Sequence, residues 1–143
     1  MKGKLALRLN DAARSGTYRV RRPDEVLEAA AAAGFDVARI DLRGAAGRDA
    51  LLERVARALA FPDWFGGNWD ALEDCLADLS WREAHGHVLL LSGFETLGAD
   101  DLGVLIDVLG SSAELWAERG RPFFAVFVDP ARALGLADLF RER

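Results

Sequence analysis

The sequence predicts an α/β protein, a small and mainly parallel sheet of three to four strands packed by helices. Three observations carry this expectation. Residues 88–91 and 123–128 are unbroken apolar runs, the pattern of strands buried on both faces. Between and before them lie stretches whose apolar residues recur at helical spacing. The two patterns alternate along the chain without an internal repeat or a low-complexity linker, which favours crossover connections within one domain.

Residues 1–16, ending in Arg14-Ser15-Gly16, read as a loosely held basic extension, and residues 17–143 as a single domain with its core at 37–128. Residues 17–20 alternate polar and apolar side chains and predict a short edge strand. Pro23 then opens a helix, with Asp24 and Glu25 in its first turn, Val26, Leu27, Ala30 and Ala33 at helical spacing, and Gly34 at its end. This strand and helix form an extra N-terminal segment ahead of the core. Val37, Ile40 and Leu42 suggest a strand over residues 36–42, closed by a loop at 44–47.

Residues 49–60 read as a helix with Leu51, Leu52, Val55 and Leu59 on one face, stopped by Phe61-Pro62. Another helix spans 68–79, with Asn68 as its N-cap. The apolar strand at 88–91 follows, then a long helix from about residue 100 to 118, closed by Gly120. The strand at 123–128 ends at Asp129-Pro130, and residues 134–140 predict a short terminal helix.

With 143 residues, 51% of them hydrophobic and 29% charged, the chain has material for one core, and disorder is excluded as its default state. The net charge of −5 conceals a strong polarity. Residues 1–22 set seven basic side chains against Asp11 alone, so the rest of the chain is about −11. Residues 61–80 hold no Lys or Arg but five acids: Asp63, Asp70, Glu73, Asp74 and Asp78. Such a body repels phosphate, which argues against nucleic acid and anionic membranes and for a basic partner. The basic N-terminal side chains, chiefly Arg19, Arg21 and Arg22, read as a solvated edge balancing that body.

One cysteine, Cys75, cannot form an internal disulfide. No signal-peptide core precedes a small-residue cleavage site, and no stretch approaches the roughly 20 apolar residues that cross a bilayer. A cytoplasmic location is expected. Sixteen of the 18 basic residues are Arg and Ala is abundant, a bias that a GC-rich bacterial genome produces.

The most informative stretch is Phe61-Pro62-Asp63-Trp64-Phe65-Gly66-Gly67-Asn68-Trp69-Asp70-Ala71-Leu72-Glu73-Asp74-Cys75-Leu76. On a helix from Asn68, Trp69, Leu72, Leu76 and Leu79 form a buried stripe, and Asp70, Glu73, Asp74 and Asp78 a purely negative one. Asp70 suits the positive end of the helix dipole. Asp74, four residues on, repels it, and Asp78 sits at the negative end. Folding alone would favour a lysine at one of these sites. The stripe is therefore either a solvated face or a surface shaped for a cationic partner.

Gly66-Gly67 suits a tight turn with positive φ. A phosphate cradle there is disfavoured, since no Lys follows the glycines and Asp70 occupies the field an anion would want. Trp64, Phe65 and Trp69 are core aromatics, or Trp64 is an interface anchor beside the acids.

Enzymatic readings find little support. Cys75 falls beside the buried stripe as a structural thiol. His85 and His87 lie at the start of a strand without a third ligand, so no metal and no cofactor are expected. Neither histidine belongs to a nucleophile–base arrangement.

The motif Pro62-Asp63-Trp64-Phe65-Gly66-Gly67-Asn68-Trp69-Asp70-Ala71-Leu72-Glu73-Asp74-Cys75-Leu76 resembles the signature of the barstar family, intracellular inhibitors of barnase-type ribonucleases. The resemblance runs from about Val37 to Val128 and implies a barstar-like fold, a small parallel sheet packed by helices. It implies a non-enzymatic inhibitor or immunity protein whose helix after the glycine loop plugs the active site of a basic extracellular-type ribonuclease or toxin nuclease. Asp74 would be the central phosphate mimic and Asp70 its flanking acid. Asn68 and Gly66 would meet the enzyme's loops, and Trp64 occupies an aromatic contact position. An acidic contact from the long helix maps to Glu114, or Leu115 replaces it. Glu73 also lies on the contact helix, where the family's type member has a tryptophan. The other reading, from a different class, is an interaction or regulatory module that keeps the fold without inhibiting a nuclease.

Overall fold

The computed structural model describes residues 2–140. Five strands form one sheet: β1 (Gly16–Val20), β2 (Asp36–Asp41), β3 (His87–Ser92), β4 (Phe123–Val128) and β5 (Ala137–Asp138). Five helices accompany them: α1 (Lys2–Leu9), α2 (Asp24–Ala33), α3 (Arg48–Ala58), α4 (Trp69–Asp78) and α5 (Ala99–Glu118). The strand order is β2-β3-β4-β1-β5, and every neighbouring pair is parallel.

Both faces of the sheet are covered, which is why its central strands are apolar throughout. Alternate residues serve alternate layers. Leu89 and Leu91 of β3, with Phe123, Ala125 and Phe127 of β4, enter the core shared with α3, α4 and α5. Val88, Leu90, Phe124 and Val126 face the opposite way, into a second core closed by α1 and α2.

Several boundaries match the periodicities above, among them Gly34 as a left-handed C-cap (φ 73°) and Asn68 as the N-cap of α4. Four features differ. The sheet has five strands rather than three to four. β1 is not an edge strand, because β5 pairs with it on the side away from β4. Residues 134–140 are not helical. Asp129 accepts hydrogen bonds from the Ala133 and Leu134 amides, Arg19 donates to the Leu134 carbonyl, and the Leu139 amide donates to the Arg19 carbonyl. These bonds draw the chain alongside β1 and bury Leu139 completely, which outweighs a short helix.

The fourth difference lies in the segment expected to be loosely held. It forms α1, whose Leu5 and Leu9, four residues apart, are buried in the second core while Leu7 stays exposed. A 3-10 turn at Ala12–Arg14, capped by Asp11, leads into β1.

β2 forms one edge of the sheet, and two of its outward carbonyls are occupied. Arg54 donates to that of Asp41, and Arg82 reaches that of Val37 at 3.5 Å. After β3, Gly93 (φ 72°) brings the chain so close to Arg43 that a Cβ would lie 2.6 Å from the Arg43 backbone nitrogen. Only glycine fits there.

Candidate functional site

The site is built around the start of α4. The Phe65 amide bonds the Pro62 carbonyl in a turn, and Gly67 takes a left-handed conformation (φ 73°) that sets up the cap. Asn68 is extended, and its side-chain oxygen accepts from the Ala71 amide at 2.7 Å. This satisfies one of the free donors of the first turn, and Asp70 adds a favourable charge at the same end. Leu72, Cys75, Leu76 and Leu79 are buried, and Trp69 packs partly against the same core.

The other side of α4 faces water. Asp70, Glu73 and Asp74 are exposed, and none has an ion-pair or hydrogen-bond partner among the described residues. Among the described residues, Asp78 accepts only from the Ser80 hydroxyl. Three carboxylates on one short helix face, uncompensated, are unfavourable to one another, and a cationic partner would relieve that repulsion. Their field is felt inside the protein: burial first, then Asp74 and Asp78, push the Cys75 thiol up to about 11. This is a buried, unreactive cysteine.

Beside the helix stands an aromatic group. Trp64 is 58% exposed and meets the Trp81 ring edge-on at 6.1 Å. Trp81 donates its indole N–H to the Leu59 carbonyl and packs edge-on against Phe61, which in turn meets Phe65. Trp64 thus rests against Trp81 yet stays largely exposed, whereas Phe65 and Trp69 are partly buried. Gly66 and Gly67 are both exposed beside it, leaving the helix entrance uncovered.

Trp64, Gly66, Asn68, Asp70, Glu73 and Asp74 are all exposed, on the first turns of α4 and the loop that enters it. Glu114 is not among them. It is exposed on α5, two residues before the buried Trp116, and therefore on the opposite side of that helix from the indole contacting α4. Leu115 is half-buried.

Two groups of residues were missed by sequence reasoning. One joins Asp36 at the start of β2 to Arg82 and His87. Arg82 donates from Nε and Nη2 to the Asp36 carboxylate, each at 2.8 Å, and His87 Nδ1 lies 2.9 Å from it. Burial opposes the Asp36 charge, but the bonds from Arg82 and His87 prevail and hold its carboxyl below the ordinary value. Burial pushes His87 down, against the pull of Asp36. His87 stands at the strand's start as expected but is fully buried, while His85 is exposed. The other group is Trp116, Arg119 and Arg121 beyond the far end of α4. Only the separation of these residues in sequence hid them. Among the described residues, no group of His, Cys, Asp and Glu is arranged to hold a metal ion, and no helix is long and apolar enough to cross a membrane.

No curated protein sequence matches the chain closely enough to be informative. A family model described as Barstar (barnase inhibitor) matches residues 35–128, running from the residue before β2 to the end of β4. That span holds the three strands β2, β3 and β4, the helices α3, α4 and α5, and the whole of the acidic surface, and on this match the chain belongs to the barstar family.

Proposed function

We propose that this protein inhibits a basic ribonuclease by placing α4 in the enzyme's active site, and that it protects the cell that makes it, as an immunity protein does. The observation that carries the reading is the set of unpaired carboxylates, Asp70, Glu73 and Asp74, on the capped helix of a barstar-family chain. Asp74 takes the place of a substrate phosphate and Asp70 flanks it, each accepting charge-assisted hydrogen bonds from cationic side chains in a desolvated cleft. Asn68 and Gly66 meet the rim of that cleft, and the exposed Trp64 packs against it. Glu73 asks for one more cation on the partner. Glu114 engages only an enzyme that reaches across α5. The negative body speeds encounter with a positive enzyme, an effect that salt weakens. No catalytic step by this chain is involved, and the partner is a protein rather than a nucleic acid or a membrane.

The test is a titration into barnase-type ribonucleases and toxin nucleases encoded beside it, following RNA cleavage. Stoichiometric inhibition is expected. Asp74→Ala, shown to be folded, should weaken it roughly 30-fold or more, as truncating one member of a buried charge pair does. Undiminished inhibition by that variant would remove Asp74 from the site. No inhibition by the unaltered protein across the panel would favour an interaction module of the same fold.

A further inference from the structure

We propose that Trp116 and Arg119 are positioning residues, which cap the last turn of α4 from α5 and thereby hold Asp74 in place for the partner. This rests on the reading of α4 as the partner-binding helix.

The two ends of α4 are unequal. The N-terminal end is stabilised from within, by Asn68 and Asp70. The C-terminal end has no basic residue in its last turn, carries Asp78 where the helix dipole is negative, and ends on Leu79 in a left-handed conformation (φ 49°) that side chains rarely adopt. The Leu79 amide bonds the Cys75 carbonyl. The next two carbonyls lie beyond the helix's own donors. Both are bonded from the end of α5. Trp116 Nε1 donates to the Leu76 carbonyl at 2.8 Å, and Arg119 Nη1 to that of Ala77 at 2.6 Å.

The indole that makes the inner bond is itself fixed. Trp116 is 2% exposed, with the guanidinium of Arg119 at 4.9 Å and that of Arg121 at 4.6 Å from its ring centre. The His87 ring meets it edge-on at 5.2 Å, and Phe123 stacks against it at 6.4 Å. Asp74 immediately precedes the turn so capped, whereas Asp70 lies a full turn nearer the self-sufficient end. Fraying from the C-terminus therefore displaces Asp74 first.

Charge and position make opposite demands of Arg119, which allows them to be separated. It is a cation at the end of an acidic helix. If it acted only by its charge, removing it would strengthen binding to a cationic partner. If it positions α4, removing it weakens that binding.

Two measurements decide the matter. The first uses the protein alone. In Trp116→Phe, and in the exposed Arg119→Gln should the former fail to fold, hydrogen exchange of the Leu79 amide should accelerate roughly tenfold, with the Leu72 amide in the first turn unchanged. The second uses barnase as the probe. Arg119→Gln should dissociate roughly threefold faster or more without associating more slowly. Asp74→Ala should cost less affinity in the Trp116→Phe background than in the unaltered protein. Arg119→Lys, which keeps a donor and the charge, should restore both. An unaccelerated Leu79 amide in the folded variants, or tighter binding by Arg119→Gln, overturns the proposal. If the unaltered chain does not bind barnase, inhibition of that enzyme fails as a reading, while the exchange comparison still decides the cap.

Discussion

Replacing Asp36 by Asn tests how β2, β3 and the loop ahead of β3 are fastened together. The carboxylate receives two bonds from Arg82 at 2.8 Å and faces His87 Nδ1 at 2.9 Å. Its side chain is 19% exposed and that of Arg82 20%, so the guanidinium can recover only part of its hydration when its partner loses charge. Asn keeps the shape and one acceptor but neither the charge nor the second oxygen. The complete loss of one member of a buried pair costs about 3–5 kcal/mol, and partial exposure with a residual acceptor reduces this to about 2–4 kcal/mol. That lowers the melting temperature by about 6–12 °C for a domain of this size.

Equilibrium urea unfolding over a range of pH is the assay. The folded Asp36 carboxyl is held below its ordinary value of 3.8, so its contribution is present above that pH and is lost as the pH falls through the folded value. The unaltered protein should lose stability steeply in this acid range, and Asp36→Asn should lack that component. His87, held below its ordinary 6.5, favours the folded state above that pH and loses this advantage as the pH falls. This milder decline should persist in the variant, because removing Asp36 takes away an interaction that raised the His87 pKa. A loss under about 1 kcal/mol at neutral pH, or an unchanged acid limb in Asp36→Asn, would refute the reasoning.

Three further predictions concern α3 and α4. Glu73→Lys places a cation three residues after Asp70 and beside Asp74, and should stabilise the free protein by about 0.3–0.5 kcal/mol in urea unfolding while weakening ribonuclease inhibition. A loss of stability, or stronger inhibition, contradicts the account of that face. Ala60 is exposed with φ 53°, so Ala60→Gly should raise stability by about 0.5 kcal/mol, the relief of a left-handed side chain less the entropy glycine adds to the unfolded chain. Cys75, buried and with its thiol pushed up to about 11, should react with iodoacetamide at pH 8 only as fast as the protein opens. Labelling at the rate of a free thiol would show that α4 detaches readily.

The middle of the chain was legible because its signals are local. Leu72, Leu76 and Leu79, the Asn68 cap and the positive-φ glycine all lie within one short stretch, and so do the acids of the candidate site. The ends were not. Leu5, Leu7 and Leu9 alternate like a strand, yet Leu5 and Leu9 also lie one helical turn apart, and only the second core decides between these patterns. Leu134, Leu136 and Leu139 resemble a helix until Asp129 and Arg19 capture the neighbouring backbone. The cap on α4 was invisible for the same reason, since Trp116 lies forty residues from the carbonyl it meets.

The strand order also sets a timetable. β1 is translated first among the strands, but its partner β4 pairs Gly16 with Phe124. At about 5–20 residues per second, roughly 5–20 s separate the two during synthesis. Through that interval the inner edge of β1 has no strand to pair with, and the core under α1 and α2 lacks Phe124 and Val126. β2 and β3, in contrast, can pair much sooner. The nascent sheet therefore assembles from β2 and β3 outward, and β1, made before them, pairs only after β4 has followed.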